Sequence, residues 1–404
     1  MPWLEIPKRS GGVRKVFAPS PDKAKQNMNA GLDLAAVSYA LAKYPVCVGP
    51  YRIIYAYLPE TSATEFARDA FDAFVLAQQR RRVNWNNDQD PFVLIEIDVV
   101  DCFNSISAIT ATAGIFMAVN EVDFEIKQVL WGTNLLHKKY ASIIKRVSAV
   151  SSMLLNALAS FIRPLTVPDP EHPGRRITAQ GLPSSPIVAN VALHGLVDMP
   201  IMNAVRREYI YHYDIAHSVL RPGCWTSHVT PRFLNGLKQR GELGRAALDV
   251  IKDYSDMLCL TIKTTPPTAD GDPGLRYFRY SDNCLVVATL RVVPKIEEAL
   301  AKIQDIAGLR FRTRVFYPGE AVTICGWRNE LGRPASEMRP PRGRRRRLRA
   351  LKHIVSKYAD NRSAQGQLAG LNGWLKQKES PNGKNKAGGV FSTYIKHLMY
   401  FDND

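Results

Sequence analysis

The sequence predicts an α+β fold, and three observations carry that expectation. Residues 92–98, FVLIEID, form an apolar β-type run behind Pro91. Residues 276–290 read as a hairpin of two largely apolar strands turning around Ser281-Asp282-Asn283. Elsewhere, long stretches repeat apolar residues at helical spacing.

Taken in order, residues 4–17, LEIPKRSGGVRKVF, read as two short strands joined at Gly11-Gly12, with basic residues projecting from the turn. Residues 22–43 read as an Ala-rich helix and 62–80 as a second one that ends in Arg80-Arg81-Arg82. After the strand at 92–98 the chain is expected to be mostly helical from 105 to 165. Residues 186–206 read as a helix entered through Pro186, whose missing N–H would have no partner in a first turn anyway. Residues 207–275 are rich in Tyr, His, Pro and Gly; they are expected to be less regular, with an insertion near 207–270. Residues 294–307 read as an amphipathic helix and 311–327 as strand-like. From Arg339 the run PRGRRRRLRALKH opens a last helical region.

The 404 residues are 46% hydrophobic, enough for a sizeable core and too long for one simple domain. Lys and Arg number 54 against 37 Asp and Glu, a formal charge of +17. Such an excess suits a polyanionic partner, because each phosphate neutralised releases counterions. The six cysteines include no CxxC pair, which argues against a zinc ribbon or a disulfide framework and for a reducing, cytoplasmic setting. No apolar run is expected to reach membrane-spanning length, the opening Met1-Pro2-Trp3 lacks a signal-peptide layout, and no membrane partner is expected.

Two segments present a carboxylate at the end of an apolar strand: Asp98 closes FVLIEID, and Asp282 sits at the tip of the 276–290 hairpin. Carboxylates delivered to adjacent strand ends from separate segments are what a pair of divalent metals about 3.5–4 Å apart requires, and Mg²⁺, a hard ion, takes oxygen ligands. Each segment alone also fits a turn or cap aspartate. Between them lies AQGLPSSPIVANVAL, a Gly-Leu-Pro-Ser-Ser-Pro loop running into an apolar helix.

In this order the three segments resemble motifs A, B and C of reverse transcriptases, most closely the retron and group II intron enzymes. DVVDCF matches an Asp, a second Asp (Asp101) three on and an aromatic residue (Phe103) five on. QGLPSSP matches Gln-Gly-x-x-x-Ser-Pro without a gap, and YSDN stands where the family has Tyr-x-Asp-Asp. IPKRSGGVRKVFAPSP resembles the opening fingers motif, Tyr44-Pro45 through Gly49-Pro50-Tyr51-Arg52 the segment after it, and AVTICGWRNE the primer-grip hairpin. The chain departs from the pattern at Asn283, which replaces the second Asp of motif C, and in the long intervals from Asp98 to Gln180 and from Pro186 to Asp282.

The resemblance implies a right-hand polymerase: fingers over 1–91, a palm over 92–330 built on an antiparallel sheet of RRM-like topology, and a basic helical thumb over 331–404. It implies Asp98 and Asp282 as ligands of two Mg²⁺ ions, with Mn²⁺ as the alternative ion, Asn283 assisting and the Val99 carbonyl completing coordination. Lys8 and Arg14 would grip the nucleoside triphosphate, and Gln180 and Gly181 would lie against the incoming nucleotide. Ser185, Pro186, Gly326, Trp327, Arg344, Arg345, Arg346 and Arg347 would contact the RNA template and the primer-template duplex. Phe103 would lie under the sugar and exclude a 2′-hydroxyl, favouring DNA as the product.

Three functions stay open on the sequence: an RNA-directed DNA polymerase, a viral-type RNA-directed RNA polymerase favoured by Asn283, and an inactive polymerase fold that binds nucleic acid. Phe103 and QGLPSSP favour the first.

Overall fold

A computed structural model describes residues 3–7, 12–43, 54–57, 61–84, 90–132, 138–205, 218–222, 231–254, 257, 260–264, 276–340 and 342–358, with single positions at 365 and 368. The chain is a mixed α+β protein with small antiparallel sheets.

The central sheet has four strands: β3 (Phe92–Val99), β8 (Arg276–Tyr280), β9 (Asn283–Thr289) and β10 (Phe311–Phe316), with order β10-β3-β9-β8 and every pair antiparallel. Along the chain these strands follow a β-α-β-β-α-β sequence, the split arrangement in which the first and last strands sit side by side. The apolar run of β3 reflects burial on both faces. Val93, Ile95, Ile97 and Val99 belong to one hydrophobic cluster, and Phe92 and Leu94 to a second. The second face changes character along the strand: after Phe92 and Leu94 it carries Glu96 and Asp98, both half-buried.

Helices cover both faces. Helix α1 (Pro21–Lys43) starts with Pro21, and the Ser20 carbonyl accepts the first turn's hydrogen bond from Ala24 N–H. Helix α2 (Ala63–Asn84) begins with the spacing Ser62-x-x-Glu65, and the Ser62 hydroxyl accepts from the Glu65 N–H at 3.1 Å. Phe66, Phe71 and Phe74 of α2 fill the cluster over Phe92, Leu94 and Leu285. The residues of the opposite face join the larger hydrophobic cluster, which also includes residues of α4 (Ala108–Gly132); α4 follows the short α3 (Cys102–Ser105) and packs against α5 (Lys138–Asn156). After α6 (Leu158–Ile162) and the short pair β4 (Val167–Pro168) and β5 (Arg176–Ile177) comes α7 (Ser185–Leu193), with Pro186 in its first turn; it runs through a π-turn at His194–Asp198 and on to Val205.

Two expectations are corrected. Ser185–Val205 is long and apolar enough to cross a membrane by length and composition; nearly all of it is buried, so its apolar residues face the protein core on all sides. Residues 207–275 are not uniformly irregular. Helices Pro231–Lys238 and Gly241–Asp253 pack against each other, the second also against α4, and strands β6 (Ser218–Pro222) and β7 (Leu260–Thr264) pair. The remaining expected elements are present within a few residues of their expected bounds. The hairpin β1 (Trp3–Pro7) and β2 (Val13–Phe17) pairs in register Trp3↔Phe17, and the strand-like 311–327 divides into β10, β11 (Ala321–Ile324) and β12 (Trp327–Glu330). The basic run lies in the helix Arg342–Lys357.

Candidate nucleotidyl-transfer site

Asp98 and Asp282 come together at one end of the sheet. Asp98 is the penultimate residue of β3 and lies opposite Asn283, the first residue of β9. The Val99 N–H donates to the Asp282 carbonyl at 3.0 Å, which fixes the hairpin tip against the end of β3. The turn is Ser281-Asp282, and Ser281 holds a left-handed backbone with φ of 61°. Burial, and then the neighbouring Asp282 charge, push the Asp98 carboxyl above its ordinary range; Arg312, opposite it on β10, partly offsets them. A carboxyl whose proton affinity is raised by burial and a neighbouring carboxylate is a site that gains from a cation.

The donor set fits a hard metal in one specific respect. Asn283 Nδ2 donates to Glu96 Oε1 at 3.3 Å, but Asn283 Oδ1 is buried with no hydrogen-bond partner. A buried acceptor left unmade costs free energy that a cation would recover. Among the described residues no group of three or more His, Cys, Asp or Glu side chains forms a metal cluster, so an ion here would draw on the two aspartates, the amide and main-chain oxygens. Val99 itself is buried.

The segments around the carboxylates are tied together by main-chain bonds. The Thr178 N–H donates to the Ile106 carbonyl at 2.9 Å, and the Phe17 N–H to the Gln180 carbonyl at 2.7 Å. Ser107 bridges Ile177. The chain after β3, the loop before α7 and the edge of β2 thus form one continuous seam. Gly181 sits on it with φ of +105°, where a Cβ would lie 2.0 Å from the Phe17 carbonyl oxygen. Phe103, on α3, is partly buried against the larger core cluster. Arg14 is exposed on β2.

Some residues expected to touch nucleic acid lie elsewhere. Trp327 is fully buried and its indole N–H donates to Thr64 Oγ1 at 3.0 Å; it is a core residue bonded to the start of α2. Ser185 is also buried, its hydroxyl donating to the Ala179 carbonyl at 2.7 Å, so it shapes the loop from within. Pro186 is half-buried, and Gly326 makes the β11–β12 turn with positive φ. Arg346 and Arg347 are exposed on the last helix. Lys8 and the side chains of Arg344 and Arg345 lie outside the described residues, as does the segment 44–53.

Sequence reasoning missed four participants. Glu96 shares the face of Asp98 by the period-two rule and could have been found from it. Arg312, Tyr57 and Arg279 reach the site only through pairing and packing. Tyr57 OH lies 3.1 Å from Ser281 Oγ. Arg279 is fully buried and contacts both Asp198 oxygens, the Asn190 side chain and carbonyl, and the Ser281 carbonyl.

No protein-family model matches the chain, and no curated protein sequence does. A solved structure of telomerase from Candida albicans, in complex with a fragment of telomeric RNA, is similar with a TM-score of 0.38 at 10% identity. The match covers 98% of this chain, which spans 58% of the length of that one. A likeness at that level does not establish a shared fold.

Proposed function

We propose that the chain is an RNA-templated nucleic-acid polymerase, with fingers, palm and thumb over 1–91, 92–330 and 331–404, and with DNA as its preferred product. The observation that carries the reading is the meeting of Asp98 and Asp282 at neighbouring strand ends, with Asn283 opposite Asp98 and the QGLPSSP loop joined to the same region. Asp98, Asp282 and Asn283 would hold two Mg²⁺ ions, or Mn²⁺; such ions activate a primer hydroxyl and neutralise the departing pyrophosphate. Gln180 and Gly181 would face the incoming nucleotide, and the Arg14 guanidinium would contact its triphosphate by paired hydrogen bonds. The exposed Arg346 and Arg347 would contact the phosphates of the primer-template duplex. The setting we propose is cytoplasmic.

Phe103 favours DNA synthesis: an aromatic ring beneath the sugar leaves no space for a 2′-hydroxyl and penalises only the wrong substrate. Asn283 favours a second reading, RNA-directed RNA synthesis. Primer extension on an RNA template with matched dNTPs and NTPs separates them. The wild type is expected to prefer dNTPs, and Phe103→Ala to admit NTPs. A wild type that prefers NTPs replaces the first reading with the second, and a chain that binds template but extends with neither supports the inactive fold.

A further inference from the structure

The Ser281-Asp282 turn is held from two sides by groups that belong to neither carboxylate. Ser281 is a non-glycine residue in left-handed backbone, a conformation that persists only where the surroundings over-determine it. On one side, Arg279 Nη1 donates to the Ser281 carbonyl at 3.0 Å. The guanidinium is itself fixed. Nε donates to Asp198 Oδ1 at 2.7 Å, Nη2 donates to Asp198 Oδ2 at 3.0 Å and to the Asn190 carbonyl at 2.8 Å, and Nη1 also donates to Asn190 Oδ1 at 3.1 Å. Asp198 stands on the π-turn of the core helix, where Tyr277 OH donates to it at 2.6 Å and His194 Nδ1 lies 3.1 Å away. On the other side, Tyr57, itself at φ of 59°, places its hydroxyl 3.1 Å from Ser281 Oγ.

We propose that Arg279 and Tyr57 are positioning residues that together hold the Ser281-Asp282 turn, so that the Asp282 carboxylate is presented beside Asp98. This rests on the polymerase reading for its purpose, but the hold itself is a property of the turn. Arg279 anchors the main chain of the turn to the core helix, and its fork matches five acceptor atoms at once, which an ammonium cannot do. Tyr57 anchors the side chain of the same residue from the segment before α2. Because the turn's geometry also sets the Val99 N–H bond to the Asp282 carbonyl, that amide reports the hold without reference to catalysis.

The test uses the full chain and reads hydrogen–deuterium exchange at the Val99 amide. Tyr57→Phe and Ser281→Ala each delete one hydroxyl, and each is expected to speed that exchange about fivefold, the equivalent of one neutral hydrogen bond. The double variant should exchange no faster than either single one, because both remove the same bond. Ser281→Gly also deletes the hydroxyl but makes left-handed backbone easy, so it should exchange more slowly than Ser281→Ala. Arg279→Lys keeps the charge and loses the fork; its exchange should rise further, and if it fails to fold, the Tyr57 and Ser281 variants decide. In extension assays Tyr57→Phe should raise the Mg²⁺ concentration at half-maximal rate while leaving the melting temperature in place. Unchanged Val99 exchange in Tyr57→Phe, or Ser281→Ala and Ser281→Gly behaving alike, overturns the proposal. Should Asp98→Ala and Asp282→Ala both retain extension, the polymerase reading fails instead, and the exchange comparison still decides the hold.

Discussion

Gly181→Ala is expected to separate the loop before α7 from β2. An added Cβ would lie 2.0 Å from the Phe17 carbonyl oxygen and 2.9 Å from Val16 Cγ1, and the first of these neighbours is backbone that cannot swing aside. The loop must retreat by roughly an ångström to reach ordinary contact, and the 2.7 Å bond from the Phe17 N–H to the Gln180 carbonyl would not survive that shift. Left-handed backbone on a non-glycine residue costs about 1–3 kcal/mol. Orphaning a buried amide costs about the same again. The combined loss approaches the lower end of a domain's total stability, about 5 kcal/mol. Gly174 supplies the control: its φ is +83°, but a Cβ there meets open space, so Gly174→Ala carries the backbone cost alone, about 1–2 kcal/mol. Urea denaturation of both variants measures the difference, and nucleotide KM in extension assays should rise for Gly181→Ala only. A Gly181→Ala variant within about 0.5 kcal/mol of Gly174→Ala would refute the close approach, since unremarkable surface changes fall in that range.

Two further outcomes follow from the buried and half-buried charges. Burial alone would raise the Asp198 carboxyl, but the Arg279 charge and the His194 hydrogen bond outweigh it and hold the group below its ordinary value of 3.8. A depressed folded value stabilises above the unfolded value and is lost as pH falls through the folded one, so the contribution should persist at neutral pH and fade only below about pH 4. Asp198→Asn should remove that acid limb and cost about 3–5 kcal/mol at pH 7 in denaturant titrations, the range for breaking one side of a buried ion pair; an unaltered acid limb would contradict the assignment. Asn283→Asp should preserve or raise Mg²⁺-dependent extension and reduce any preference for Mn²⁺, because the added charge strengthens binding of the more strongly hydrated ion; complete loss of activity would mean the site is built around the amide.

Much of the candidate site was legible because its signals are local. The run FVLIEID reads as a strand whichever faces it buries, and Asp98 stands at its end wherever that strand pairs. Pro186 marks the start of the core helix, and the turn at Ser281-Asp282 interrupts two apolar strands. What was not legible depends on distant partners. Arg279 looks like an ordinary strand arginine until Asp198, 81 residues earlier, is packed against it. Trp327 and Ser185 sit in recognisable motifs, but whether a side chain in a motif faces a ligand or the core depends on the residues it packs against, here Thr64 and Ala179. The helices at 231–238 and 241–253 were hidden by a composition rich in turn-forming residues, and the core packing that stabilises them outweighs that local preference.

We propose Asp98 and Asp282 as the two carboxylates of a templated nucleotidyl transfer. The most direct test is single-nucleotide extension of a primer on an RNA template in Mg²⁺, comparing the wild type with Asp98→Ala and Asp282→Ala, with circular dichroism to show that each variant is folded. The wild type should extend the primer, and neither folded variant should. Extension retained by either one would contradict the assignment.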